Sequence, residues 1–122
     1  IVASESIQFI DADTDSHQFL REIDVLITDY SSICFDFLLL DRPVVFYTPE
    51  YSTFEKIRGT HPNYGSVIPG PRVNDFEQLL VCLDSIVSGE DDYVGKRQEI
   101  RSQFFKHIDG SASERITRSV LN

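Results

Sequence analysis

Short apolar runs alternate with helix-spaced segments along the first half of the chain. Ile7-Gln8-Phe9-Ile10 reads as a strand. Asp15 to Glu22 sets Phe19, Leu20 and Ile23 on one side and predicts a short helix, with Asp15 or Ser16 as its cap. Asp24-Val25-Leu26-Ile27-Thr28 is a compact, β-branched run of the kind found in buried parallel strands. Ser31 to Leu40 is apolar almost all round and predicts a helix buried on most faces. Pro43-Val44-Val45-Phe46-Tyr47 predicts a second buried strand, with Pro43 at the position where a missing N–H is tolerated. Tyr51 to Ile57 is expected to be helical.

The second half is helical in pattern after a loop. His61 to Arg72 holds Pro62, Gly65, Pro69, Gly70 and Pro71 and reads as loop. Asn74 to Val87 carries Phe76, Leu79, Leu80, Leu83, Ile86 and Val87 at helical spacing. Asn74 and Glu77 form a capping-box pattern, and Gly89 marks the stop. Asp91 to His107 predicts a more polar helix opened by the acidic run Glu90-Asp91-Asp92, with Tyr93, Ile100, Phe104 and Phe105 as its apolar contacts. Ser111 to Leu121 predicts the last helix, with Ser111 and Glu114 spaced as a capping box. The order βαβαβ followed by helices implies an α/β fold with a Rossmann-like parallel sheet and flanking helices.

Composition adds limits. The 122 residues are 41% hydrophobic and 25% charged, which fits one soluble globular domain over residues 1–122. There is no Met, and the chain opens Ile1-Val2-Ala3, so the expectation is a piece of a longer polypeptide. Cys34 and Cys82 lie in apolar surroundings and are expected as free thiols. The net charge is −9, with −8 in residues 1–50 and −1 in residues 51–122. That balance excludes broad polyanion binding, and no nucleic-acid partner is expected. Phe35, Phe37, Phe46 and Phe104 are read as core. The alternating Asp11, Asp13 and Asp15 lack the Gly and closing Glu of a calcium loop and read as a solvated turn, so no metal is expected.

The segment richest in chemistry is Asp24 to Tyr47: strand, tight turn, buried helix, strand. The turn Thr28-Asp29-Tyr30-Ser31-Ser32 falls at the carboxyl end of a parallel strand, where ligands bind in open α/β sheets. Free N–H groups and two hydroxyls at a helix start suit a phosphate without a lysine. The turn by itself also fits a plainer role, with Asp29 or Ser31 simply capping the helix.

T-D-Y-S-S followed by F-D and L-L-D-R-P-V-V-F-Y closely resembles the CDP-glycerol glycerophosphotransferase family, the teichoic acid and capsule polymer primases and polymerases. Arg58-Gly59 with Pro69-Gly70-Pro71, and then Asp109-Gly110-Ser111-Ala112-Ser113-Glu114-Arg115, extend the resemblance over residues 23 to 121.

The resemblance implies the C-terminal donor-binding domain, or part of it, of a two-domain GT-B enzyme. It implies a CDP-glycerol or similar CDP-polyol donor, with CMP released and no further cofactor. The acceptor is a lipid-linked polymer that meets the missing domain. The implied setting is cytoplasmic, with the parent enzyme peripheral on the inner face of the bacterial plasma membrane.

By the same resemblance Ser31 and Ser32 hold the donor diphosphate, and Asp29 and Asp36 occupy acidic motif positions. Arg58 and Arg115 lie near the phosphates, and Ser111 and Ser113 offer a second set of free N–H groups. The catalytic histidines are implied upstream. His17, His61 and His107 match no catalytic position and are read as surface or structural, so the chain alone is expected to be inactive. Two other readings stand beside this one: a GT-B glycosyltransferase domain using a nucleotide sugar, and a non-catalytic nucleotide-binding module.

Overall fold

The V-V-F-Y run becomes the middle of the sheet. The structure, a computed structural model, describes residues 7–50 and 67–121. Three parallel strands, β1 (Leu26–Thr28), β2 (Val44–Tyr47) and β3 (Arg72–Val73), lie in the order β1-β2-β3. Leu26 pairs with Val44 and Thr28 with Phe46; Phe46 pairs with Arg72 and Tyr47 with Val73. The ladder runs past the assigned strands: Leu26 N–H donates to Pro43 O (3.0 Å) and Thr48 N–H to Val73 O (2.9 Å).

β2 is buried on both faces, and its alternation assigns the faces. Val44 and Phe46 pack with Leu20, Leu26, Cys34 and Phe37. Val45 packs on the opposite side with Val73 and Leu79. The first face is covered by α1 (Ile33–Phe37), its 3-10 extension Leu38–Leu40 and the 3-10 helix Ser16–Glu22. The second is covered by α2 (Phe76–Val87). This is the expected α/β arrangement of a parallel sheet with flanking helices. Phe37 and Phe46 are fully buried, and each such side chain contributes about 1.5–3 kcal/mol by leaving water.

Local chemistry sets the element ends. Asp15 caps the first 3-10 helix by accepting from His17 N–H. The 3-10 turn Leu38–Leu40 stops at Asp41, which takes the left-handed conformation at φ 52°. α2 is capped by Asp75, which accepts from Gln78 N–H (2.8 Å), while Gln78 Oε1 accepts from Asn74 N–H (3.1 Å). The box is therefore displaced one residue from the Asn74–Glu77 pattern. Gly89, at φ 89°, closes α2 in a Schellman turn, with Glu90 N–H donating to Ser85 O and Gly89 N–H to Ile86 O.

Other expectations are corrected. Ile7 to Ile10 forms no strand and is exposed, because no neighbouring strand among the described residues pairs with it. The third strand is instead Arg72–Val73, placed in the reading of His61 to Arg72 as loop and Asn74 onward as helix. Ile27 is 46% exposed, so β1 is not buried on both faces. The helix expected over Ser31 to Leu40 begins only at Ile33 and tightens to 3-10 geometry at Leu38. The helix Tyr51 to Ile57, Arg58 and His61 lie outside the described residues.

The helix α3 (Val94–Phe104) is shorter than Asp91 to His107, since Asp91 ends up ahead of it as a partner for a buried cation. Arg97, on this helix, is 2% exposed. Its guanidinium donates to both oxygens of Asp91 (3.0 and 2.8 Å), and its Nε lies 3.5 Å from Asp41 Oδ1. Phe104 is half exposed rather than core, stacked on Phe35 at 4.4 Å. The last helix, α4 (Ala112–Leu121), buries none of its residues. Cys34 is buried and Cys82 half-buried; both are free, and burial pushes the Cys34 thiol up to about 11.

Candidate functional site

The turn between β1 and α1 is built by its own polar side chains. Asp29 Oδ1 accepts from Ser31 N–H (3.1 Å), and Ser31 Oγ accepts from Ile33 N–H (3.4 Å). Ser32 is the N-cap of α1 but makes no side-chain capping bond, so its hydroxyl is available. Asp29, Ser31 and Ser32 are all exposed. The structure therefore gives Asp29 a turn-shaping job while the two serine hydroxyls face solvent at the carboxyl edge of the sheet. An anion arriving here meets the Asp29 carboxylate on Ser31 N–H, so the hydroxyls are the donors open to it.

Asp36 is half exposed, not buried, and its partner is a residue the sequence left without a role. His17 Nε2 lies 3.2 Å from Asp36 Oδ2, and His17 Nδ1 lies 2.9 Å from Asp15 Oδ1. Both ring nitrogens face carboxylates, an arrangement satisfied only by the protonated ring. The Asp36 hydrogen bond, then that of Asp15, raises the His17 pKa above its ordinary 6.5. The donation from His17 N–H in turn lowers that of Asp15. This contact joins the first 3-10 helix to α1. Its contribution is complete below pH 6.5 and fades as pH rises through the raised pKa. In an NMR titration of the His17 ring, the midpoint is expected above 6.5 and is expected to drop towards 6.5 in Asp36→Asn. A wild-type midpoint at or below 6.5 would remove the contact from the account.

The start of α4 is organised by Asp109. Its carboxylate accepts from Ser111 N–H (2.9 Å) and from Arg115 Nη1 (2.8 Å to each oxygen). The Arg115 guanidinium, then the Ser111 N–H, holds the Asp109 carboxyl at about 2. The expected Ser111–Glu114 box gives way to these bonds, and Glu114 Oε1 accepts from Arg118 (2.6 Å). Ser113 is exposed, and its carbonyl accepts from Thr117 Oγ1. Among the described residues, no hydrogen bond of Asp29, Ser31, Ser32 or Asp36 reaches Ser111, Ser113 or Arg115. The structure thus shows two separate polar turns. Arg58, the other basic candidate, lies outside the described residues.

One polar group at the carboxyl edge went unnoticed in the sequence. Thr48, the residue after β2, is 1% exposed, and its Oγ1 has no hydrogen-bond partner among the described residues. The signal was available: Thr48 continues the period-two alternation of Val44 and Phe46 and so belongs to the face that α1 covers. Among the described residues no three His, Cys, Asp or Glu side chains are grouped to hold a metal ion, and no helix is long and apolar enough to cross a membrane.

Comparison with known proteins adds the family. The model of the CDP-glycerol:poly(glycerophosphate) glycerophosphotransferase family matches residues 2–122. The chain is 32% identical over 105 residues to the teichoic acid poly(ribitol-phosphate) polymerase of Bacillus spizizenii, covering 86% of this chain and 16% of that protein. It is 35% identical over 99 residues to the teichoic acid glycerol-phosphate transferase of Staphylococcus aureus, covering 80% of this chain and 25% of that protein. A solved structure of the wall teichoic acid polymerase TagF superposes with a TM-score of 0.73 at 31% identity, covering 88% of this chain and 27% of the polymerase. The chain thus spans about a quarter or less of these relatives. With the family model matched along nearly its whole length, and the T-D-Y-S-S turn at the carboxyl edge of a parallel sheet, the chain belongs to the CDP-glycerol:poly(glycerophosphate) glycerophosphotransferase family.

Proposed function

We propose that residues 1–122 are the donor-binding portion of a transferase that moves a polyol phosphate from a CDP-linked donor to a hydroxyl of a cell-wall or capsule polymer. The observation that carries this reading is the exposed Ser31–Ser32 turn, at the carboxyl end of β1 in a chain matched to that family from residue 2 to 122. The serine hydroxyls donate to the diphosphate, and Asp29 holds the turn open by binding Ser31 N–H. Asp36, tied to His17, fixes α1 against the first 3-10 helix. The remaining phosphate contacts are assigned to Arg58, Arg115 and the hydroxyls of Ser111 and Ser113, since the Ser111 N–H is taken by Asp109 and is not free. Arg115 makes its contact from its pair with Asp109.

In the reaction, the acceptor hydroxyl oxygen attacks the phosphorus next to the polyol. The bond between that phosphorus and the oxygen of the cytidylyl phosphate breaks, and CMP leaves. Hydrogen-bond donors on the diphosphate stabilise the charge that builds on the leaving phosphate. On this reading the base that takes the acceptor's proton lies upstream, where the family resemblance implies it, and His17 is instead engaged with two carboxylates. The polymer acceptor meets that upstream part, and membrane attachment of the whole enzyme follows from a lipid-linked acceptor.

The test is the Ser31→Ala/Ser32→Ala double variant. Ser31 Oγ makes one long bond and Ser32 none that caps the helix, so the cost in stability is expected to stay below about 1 kcal/mol. Affinity for CDP-glycerol is expected to fall at least about tenfold, the loss of a hydrogen bond to a charged group. Unchanged affinity in a folded double variant would move the phosphate site elsewhere.

A further inference from the structure

We propose that Thr48 is a ligand-contacting residue, its hydroxyl donating a hydrogen bond to a phosphoryl oxygen of the donor at the carboxyl edge of the sheet. The inference rests on the donor-binding reading above and adds to it a residue from the central strand.

The hydroxyl is shielded from water and has no partner among the described residues, although it has one hydrogen to give and two lone pairs to fill. Buried polar groups are nearly always paired, so an unpaired one needs a reason. Its position supplies one. Thr28 is level with Phe46 in the parallel register, and Thr48 lies two residues beyond Phe46. The N–H of Thr48 still donates to Val73 O, which keeps its backbone in the ladder. Its side chain therefore stands on the face of Val44 and Phe46, which is the face covered by Cys34 and Phe37 of α1. α1 starts at this carboxyl edge, immediately after Ser31 and Ser32. An unfilled hydroxyl thus lies on the same face and at the same edge as the proposed phosphate turn. Val44 and Phe46, which precede it on this face, are apolar, and no partner among the described residues accounts for the oxygen at Thr48.

The experiment compares Thr48→Val, Thr48→Ser and the Ser31→Ala/Ser32→Ala variant with the wild type, by calorimetric titration with CDP-glycerol and with CMP and by thermal melting. Thr48→Val is expected to melt at the wild-type temperature or above, because it removes an unpartnered buried hydroxyl. Its affinity for CDP-glycerol is expected to fall at least about tenfold, as for loss of a hydrogen bond to a charged group. Thr48→Ser keeps the oxygen and is expected to retain affinity close to wild type. Wild-type affinity in Thr48→Val beside weakened binding in the serine double variant overturns the inference and leaves the donor-binding reading standing. No binding of either ligand by the folded wild type overturns both. A Thr48→Val protein that loses stability together with affinity also overturns the inference, since the hydroxyl would then be structural.

Discussion

Gly70→Ala is expected to abolish the cooperative fold or to leave it barely stable. Gly70 is buried between two prolines, in the loop that delivers β3 to β2. A Cβ added there would overlap the carbonyl oxygen of Val44 and lie 2.8 Å from its carbon. Both are backbone atoms of the central strand, so no side chain can rotate away. Pro71 O accepts from Phe46 N–H at 2.8 Å, which fixes the loop on the strand from the other side. Relief requires β3 to move off β2, with loss of Val73 from the second core cluster. The cost is expected at or above the roughly 3 kcal/mol upper end for overpacking. Gly95, in the first turn of α3, is the control: a Cβ there meets nothing within 4 Å. Gly95→Ala is expected to stabilise by up to about 1 kcal/mol through helix propensity. Urea unfolding of the two variants measures both, and equal stabilities would contradict this packing.

Arg97→Met carries the second large effect. The methionine keeps the apolar stem but removes the charge that Asp91 and Asp41 face. Removing one partner of a buried pair costs about 3–5 kcal/mol. The carboxylate side chains remain 20% and 30% exposed, so water reaches them and the lower end is expected. A loss of about 3 kcal/mol lowers the melting temperature by on the order of ten degrees or more in a domain of this size. The pH dependence gives a sharper sign. The Arg97 guanidinium beside Asp91 lowers its carboxyl pKa from 3.8. That contribution is full above pH 3.8 and is lost as pH falls through the lowered value. Wild-type stability is therefore expected to decline in this acid range, and Arg97→Met to lose that part of the decline. Thermal melts of both proteins between neutral pH and pH 2 read it; parallel curves would show that Arg97 does not hold Asp91.

The elements that the sequence made legible are those whose pattern is local. Val44-Val45-Phe46-Tyr47 reads as a strand buried on both sides because every residue is apolar, and it became β2. The 3.6-residue spacing of Phe76 to Val87 became α2, although the apolar stripe is only partly covered, with Phe76 64% and Val87 82% exposed. β3 was hidden because two residues, one of them Arg72, carry no alternation to read. Ile7 to Ile10 failed for the opposite reason: an apolar run makes a strand only with a partner. The cap of α2 slipped by one residue because Asn74 and Asp75 are both good caps, and the choice fell to Gln78, which bonds back to the turn.

The site divides the same way. Asp29, Ser31 and Ser32 form a turn within one short segment, so their grouping was readable. The His17–Asp36 contact joins residues 19 apart, and the Arg97–Asp41 pair joins α3 to the end of a distant 3-10 turn; such pairings arise only from packing. Arg97 lies in a polar segment, where nothing in the local pattern marks one arginine as buried. A lone threonine after a strand, as at Thr48, carries no chemical signal until its burial is known.

The central claim is that this chain holds a cytidine diphosphate donor at the carboxyl edge of its sheet. Its most direct test is a chemical-shift titration of the labelled protein with CDP-glycerol, CMP and a UDP-sugar. Saturable shifts are expected at Ser31, Ser32 and Thr48 with both cytidine ligands, and weaker effects with the UDP-sugar. A folded protein whose Ser31, Ser32 and Thr48 resonances stay unmoved by either cytidine ligand would contradict it.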